Sequence, residues 1–152
     1  MTVLKKVGSR HSGFRMPRSS IATKNNPARG MNYSENLHDI LDSGRTLLDY
    51  VNTTSRENFI TGRSPMLNDA VIWRFCVIGE AARRTKSGIL NASGRIPWAR
   101  WVGLRNVLIH QYEAIDYAIL WEICRTGVPE LLHEVEFELK TLSKESSDDD
   151  KR

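Results

Sequence analysis

Apolar residues recur three and four positions apart through most of the chain, which is the spacing of amphipathic helices, and no stretch alternates convincingly as a strand. Leu37, Ile40, Leu41, Leu48 and Val51 fall on one stripe with Gly44 among them, and Ser34 is a good N-cap, so a first helix is predicted from about Ser34 to Asn52. A short turn of helix after Ser55 places Phe59 inward, and 62–65 reads as a linker. A second long helix is predicted over about Met66 to Lys86, with Val71, Phe75, Ile78 and Ala82 on its stripe and Leu67 and Ala81 beside it. Gly79 sits in the middle of that helix at a cost of up to about 1 kcal/mol against alanine. Close packing against the next helix is its expected reason. Gly88, Asn91, Ser93 and Gly94 mark a loop over 87–96. Pro97 suits the first turn of a helix running to about Ile109, with Trp101, Leu104, Leu108 and Val107 toward the core. Asp116 is placed to cap a helix from Tyr117 to Arg125 that carries Leu120, Ile123 and Cys124. Gly127 breaks the pattern, and Pro129 starts a last helix with Leu131, Leu132, Val135, Leu139 and Leu142. The reading is an all-α bundle of about five helices.

Composition changes this picture only at the ends. The 152 residues are 40% hydrophobic and 26% charged, enough for one domain with a real core. No apolar run approaches membrane-spanning length, and the N-terminal stretch lacks the apolar core of a signal peptide, so a cytoplasmic protein is expected. The first thirty residues hold Lys5, Lys6, Arg10, Arg15, Arg18, Lys24 and Arg29 and no acid. Set against a net charge of +4 for the whole chain, that leaves the remainder at −3. Residues 1–30 are therefore expected to be a disordered basic extension, 31–142 the domain, and 143–152 a disordered polar tail. A start-site artefact, a nonspecific RNA tether and a transit peptide compete for the extension, and the artefact is favoured. Cys76 and Cys124 lie within helical patterns and read as buried free thiols. His11, His38 and His133 are scattered, and no Cys/His spacing suits zinc, so no metal site and no cofactor are expected.

The candidate chemistry lies in Leu104-Arg105-Asn106-Val107-Leu108-Ile109-His110-Gln111-Tyr112. Arginine offers a permanent charge and a fork of donors that fits a phosphate. Histidine exchanges a proton near neutral pH, and the Asn106 amide can orient either group. With no evident covalent nucleophile, the set suits phosphate chemistry in which the substrate brings its own nucleophile, as RNA does with its 2′-OH. Arg105 and His110 are five apart and diverge by roughly 140° around a helix. A second copy across a twofold axis would let each chain supply part of one cleft. The plainer reading is that Arg and His near a helix C-terminus cap carbonyls and meet the dipole. Glu80 pairs with Arg83 or Arg84 on the surface, or else orients Arg105 across the core. Arg74, Arg83 and Arg84 read as a solvated face before they read as RNA contacts.

Arg105-Asn106-x-x-x-His110-x-Tyr112 resembles the R-x-x-x-x-H-x-Y signature of the HEPN superfamily, and more closely the HepT toxin family. Ile78-Gly79-Glu80-Ala81-Ala82-Arg83-Arg84, Ile96-Pro97-Trp98, and Asp116 followed by Trp121-Glu122-Ile123 fit the same pattern in order and spacing. The resemblance covers about Met31 to Leu142, and Gln111 stands where many relatives have glycine. It implies an all-helical, homodimeric HEPN-like bundle. It also implies a metal-independent endoribonuclease that is the toxin of a toxin–antitoxin pair. The partner would be an MntA-type nucleotidyltransferase, which spends ATP to place AMP on Tyr112. Arg105 and His110 would be catalytic and Asn106 supporting, with no cofactor held by this chain. The alternative is a non-catalytic helical subunit that binds a nucleotidyltransferase.

Overall fold

A computed structural model describes residues 29–86 and 94–149, with side chains described over 33–85 and 94–144. Among the described residues six α-helices follow one another: α1 (Arg29–Asn52), α2 (Arg56–Ile60), α3 (Pro65–Lys86), α4 (Trp98–His110), α5 (Tyr117–Glu122) and α6 (Val128–Asp149). No strand occurs among the described residues. The all-α expectation holds, with α2 as the short turn after Ser55, whose side chain accepts from the Asn58 N–H.

The central layer is α1 on α3, with α6 against α1 and α4 against the other side of α3. The stripes meet as the spacing requires. Leu37, Ile40, Val51, Val71, Phe75, Ile78, Ala82 and Val135 are all buried. Phe59 carries α2 into the core, edge-on to Tyr117 at 5.9 Å and tilted on Trp121 at 5.5 Å. Leu47 is fully buried beside the partly buried Leu48. Gly44 lets α6 approach, since a Cβ there would come within 2.6 Å of Leu132 Cδ2. Tyr33 and Glu138 are both buried, and the phenol donates to Glu138 Oε1 at 3.0 Å. Burial, then the neighbouring carboxylate, holds the Tyr33 phenol well above its ordinary range.

Three boundaries differ from the sequence reading. First, α1 begins at Arg29, ahead of Ser34, so Arg29 and Gly30 belong to the helix rather than to the basic extension. Residues 1–28, which hold the rest of that extension, lie outside the described residues, as do 87–93 of the expected loop and 150–152 of the tail. Second, α6 runs on to Asp149, past Leu142, instead of leaving a disordered tail from Ser143. Extending a helix that tertiary packing already holds adds a hydrogen bond for each residue fixed. Third, Gly127 does not break the chain's helical path. A π-helical turn, Ile123–Gly127, joins α5 to α6, and the Val128 N–H donates to the Ile123 carbonyl. The wider turn takes up the i−4 clash that Pro129 would make inside a regular helix, so α5 and α6 run on without a loop.

Candidate active site on α3 and α4

Helix α4 begins after Pro97, which occupies the cap position and not the first turn. Trp98, Trp101 and Leu108 are buried, Leu104 is partly buried, and Val107 is exposed. What sets the position of the motif is Gly79 of α3. A Cβ there would fall on Cβ of Arg105 and lie 2.9 Å from both its Cγ and the Trp101 carbonyl oxygen. The missing side chain is therefore the space in which the Arg105 stem lies.

The Arg105 guanidinium is held from two sides. Its Nη1 donates to Asn106 Oδ1 at 3.0 Å, and its Nη2 lies 3.6 Å from Glu80 Oε2. Its Nε is buried and finds no acceptor among the described residues. Glu80 also receives a two-point fork from Arg83, Nε to Oε2 at 3.0 Å and Nη2 to Oε1 at 2.7 Å. Arg84 Nε stands 3.6 Å from Oε1. One carboxylate thus faces three guanidinium groups. The Arg83 hydrogen bonds, with the charges of Arg83, Arg105 and Arg84, hold the Glu80 carboxyl below the usual range against a smaller opposing effect of burial. The surface pairing expected of Glu80 with Arg83 or Arg84 is present, and Glu80 also lies 3.6 Å from Arg105 at a partly exposed position rather than across the core.

Beside this cluster runs a groove of about 360 Å³ whose walls include Trp73, Cys76, Val77, Arg84, Arg105 and Ile109. Trp73 is 65% exposed. Cys76 is half-buried, not fully buried as expected; burial raises its thiol pKa and the Arg105 charge opposes the rise. Cys124 is buried and free, and burial pushes its thiol up to about 12. Among the described residues no group of three His, Cys, Asp or Glu side chains is arranged to hold a metal ion.

His110 is the last residue of α4 and is exposed. It does not line the groove, so within one chain Arg105 turns against α3 while His110 stands in solvent. The Gln111 N–H closes the helix on the Val107 carbonyl at 2.8 Å. Tyr112 then opens a single 3₁₀ turn, Tyr112–Ala114. Its ring is 68% exposed and its hydroxyl donates to Glu113 Oε1 at 3.3 Å. Glu113 escaped the sequence reading. Asp116 ends this segment by accepting from the Ala118 and Ile119 N–H groups at 2.8 and 3.2 Å. Replacing Asp116 with alanine should cost about 1 kcal/mol, read as a lower urea midpoint at unchanged m-value, because two N-terminal donors of α5 lose their acceptor.

The chain is similar along most of its length to proteins named for ribonuclease activity. A family described as ribonuclease HepT-like matches residues 40–137, a span that holds Glu80, Arg105, Asn106, His110 and Tyr112. A protein of Methanocaldococcus jannaschii, named as a candidate RNase, is 38% identical over 100 residues, 66% of this chain and 90% of its own. A second candidate RNase of that organism is 32% identical over 109 residues, 72% of this chain and 88% of its own. A protein of Thermococcus cleftensis, provisionally named ribonuclease HepT, is 25% identical over 99 residues, 65% of this chain and 88% of its own. No solved structure matches the chain significantly.

Proposed function

Because the chain belongs to the HepT-like ribonuclease family, we propose that it is a metal-independent endoribonuclease in which Arg105 and His110 are catalytic. The observation that carries this reading is Arg105 itself. Its stem lies in the space left by Gly79, its head stands beside Glu80 and Asn106, and its side chain stays 28% exposed at the edge of the groove. An arginine held in place with part of its guanidinium open can offer terminal N–H groups to a phosphate oxygen.

In the proposed reaction the 2′-oxygen of RNA attacks the adjacent phosphorus and the bond to the 5′-oxygen breaks. One imidazole takes the 2′-OH proton and another donates a proton to the leaving oxygen. Arg105 neutralises the charge that builds on the phosphate oxygens. The products are a 2′,3′-cyclic phosphate and a 5′-OH end. Since Arg105 and His110 point apart on one chain, the working unit is a homodimer whose two motifs share a cleft. Trp73, Ile109, Val107 and Ile119 are large and exposed around α3, α4 and α5, which supports such a contact. Asn106 orients the Arg105 head.

Tyr112 is the residue that a nucleotidyltransferase antitoxin would modify with AMP. Its exposed hydroxyl, two residues beyond His110, is open to another enzyme. The added phosphate would bring negative charge beside the cleft and repel RNA. The protein would thus be the toxic member of a toxin–antitoxin pair, acting on RNA in the cytoplasm. Expression without a partner should arrest growth, and co-expression of an MntA-type nucleotidyltransferase should relieve it only while Tyr112 is present. If Tyr112→Phe were relieved as fully as the wild type, modification of Tyr112 would not be the means of neutralisation. Absence of toxicity together with stable binding of the nucleotidyltransferase would favour the non-catalytic subunit.

A further inference from the structure

We propose that Glu80 is the positioning residue for Arg105 and that Arg83, by occupying both Glu80 oxygens, keeps that carboxylate from capturing Arg105 outright. The inference rests on the nuclease reading only for its consequence on rate; its structural content stands apart from it.

The geometry divides the roles. Arg83 makes two hydrogen bonds to Glu80 at 2.7 and 3.0 Å, whereas Arg105 stands off at 3.6 Å. Arg83 and Glu80 are one turn apart on α3 and Arg105 reaches them from α4, so the clamp joins two elements. At 3.6 Å Glu80 aims the Arg105 head by charge without tying up a donor pair. A tight carboxylate fork would compete with the phosphate for the same N–H groups, since the two anions match a guanidinium in the same way. Asn106 takes one Nη1 hydrogen from the other side, and Gly79 fixes the stem. Arg105 is thereby oriented and still open to substrate. Arg83 and Arg84 are exposed, and Glu80 and Arg105 are each 28% exposed, so the cluster borders the groove instead of closing it.

Two opposite changes follow. Removing the Glu80 charge loosens Arg105 while also taking a negative charge from beside the guanidinium that meets the phosphate. Turnover should fall while KM stays level or drops, because RNA meets less like-charge repulsion. Removing Arg83 frees Oε2, the oxygen that faces Arg105, while Oε1 keeps Arg84 at 3.6 Å, so Arg105 is drawn onto Glu80 and turnover falls for the opposite reason. In a chain that already lacks the Glu80 charge, removing Arg83 should do nothing more to turnover. That non-additivity is what an unconnected structural role would not produce.

The test uses the full-length chain as wild type, Glu80→Gln, Glu80→Asp, Arg83→Gln and the Glu80→Gln/Arg83→Gln pair. Each is assayed for kcat and KM on a single-stranded RNA, and each is examined by ¹⁵N-arginine side-chain NMR, which reports rotation of the Arg105 guanidinium. Glu80→Gln is expected to lower kcat about tenfold to a hundredfold, as small misplacements of a catalytic group do. It should leave KM level or lower, leave the melting temperature unchanged, and speed Arg105 rotation. Glu80→Asp should be intermediate. Arg83→Gln should slow the rotation and lower kcat, and the pair should match Glu80→Gln alone. Unchanged kcat and unchanged Arg105 rotation in Glu80→Gln would overturn the inference, as would additive effects in the pair. If wild type cut no RNA while the NMR changes appeared as expected, the positioning role would stand and the nuclease reading would fall.

Discussion

His110→Ala is expected to lower RNA cleavage by about 10²–10⁴-fold, the range that general acid–base catalysis contributes. The fold should survive the change. His110 is exposed at the last position of α4 and fills no core space, so the most the variant forfeits is the interaction of a protonated ring with the helix dipole, about 0.3–1 kcal/mol. Helix content and thermal midpoint should therefore stay near wild type while cleavage disappears. A folded variant that cuts at the wild-type rate would remove His110 from the chemistry. Coincident loss of fold and activity would return it to the role of a helix cap.

The second large effect is expected at Gly79→Ala, where helix propensity and packing oppose each other. Propensity favours alanine by up to about 1 kcal/mol. Overpacking costs about 1–3 kcal/mol, and here toward the upper end, because the new methyl meets the Arg105 stem and the Trp101 backbone carbonyl instead of the loose end of a side chain. The net change should be a loss on the order of 2 kcal/mol in urea unfolding, accompanied by about a 10²-fold fall in cleavage as Arg105 is displaced. Gly103 provides the contrast. It lies on α4, and nothing stands within 4 Å of the Cβ it lacks, so Gly103→Ala should stabilise by up to about 1 kcal/mol. Stabilisation at both positions would mean that α3 and α4 are not packed as closely as Gly79 requires.

The helices were legible because their apolar stripes are continuous. Val71, Phe75, Ile78 and Ala82 could be placed on one buried face from spacing alone, and Ser55 and Asp116 announced themselves by residue type at the right distance from the next run. The helix ends were less so. Nothing in the run Gly127-Val128-Pro129 distinguishes a break from a π turn, since both answer the missing N–H and the ring clash of proline. Gly79 could be singled out as a cost needing a reason, but the atoms it accommodates, on Arg105 and Trp101, become known only once α4 lies across α3. The buried Glu138 was hidden because its donor, Tyr33, is 105 residues away in the chain. Trp73 left a faint signal: a large apolar residue off the core stripe of α3, next to what became a groove. The motif residues themselves were named by chemistry and resemblance. What the fold adds is that Arg105 is held against α3 and lines the groove, while His110 is exposed at the end of α4 and does not line it.

The measurement that bears most directly on this account is RNA cleavage by the chain expressed without any partner, with Tyr112 verified unmodified by mass spectrometry, in excess EDTA. The account predicts cleavage that survives chelation, leaves 2′,3′-cyclic phosphate and 5′-OH ends, and is absent from His110→Ala. Failure of the unmodified dimeric wild type to cut any of several RNA classes, or cleavage that chelation abolishes, would contradict it.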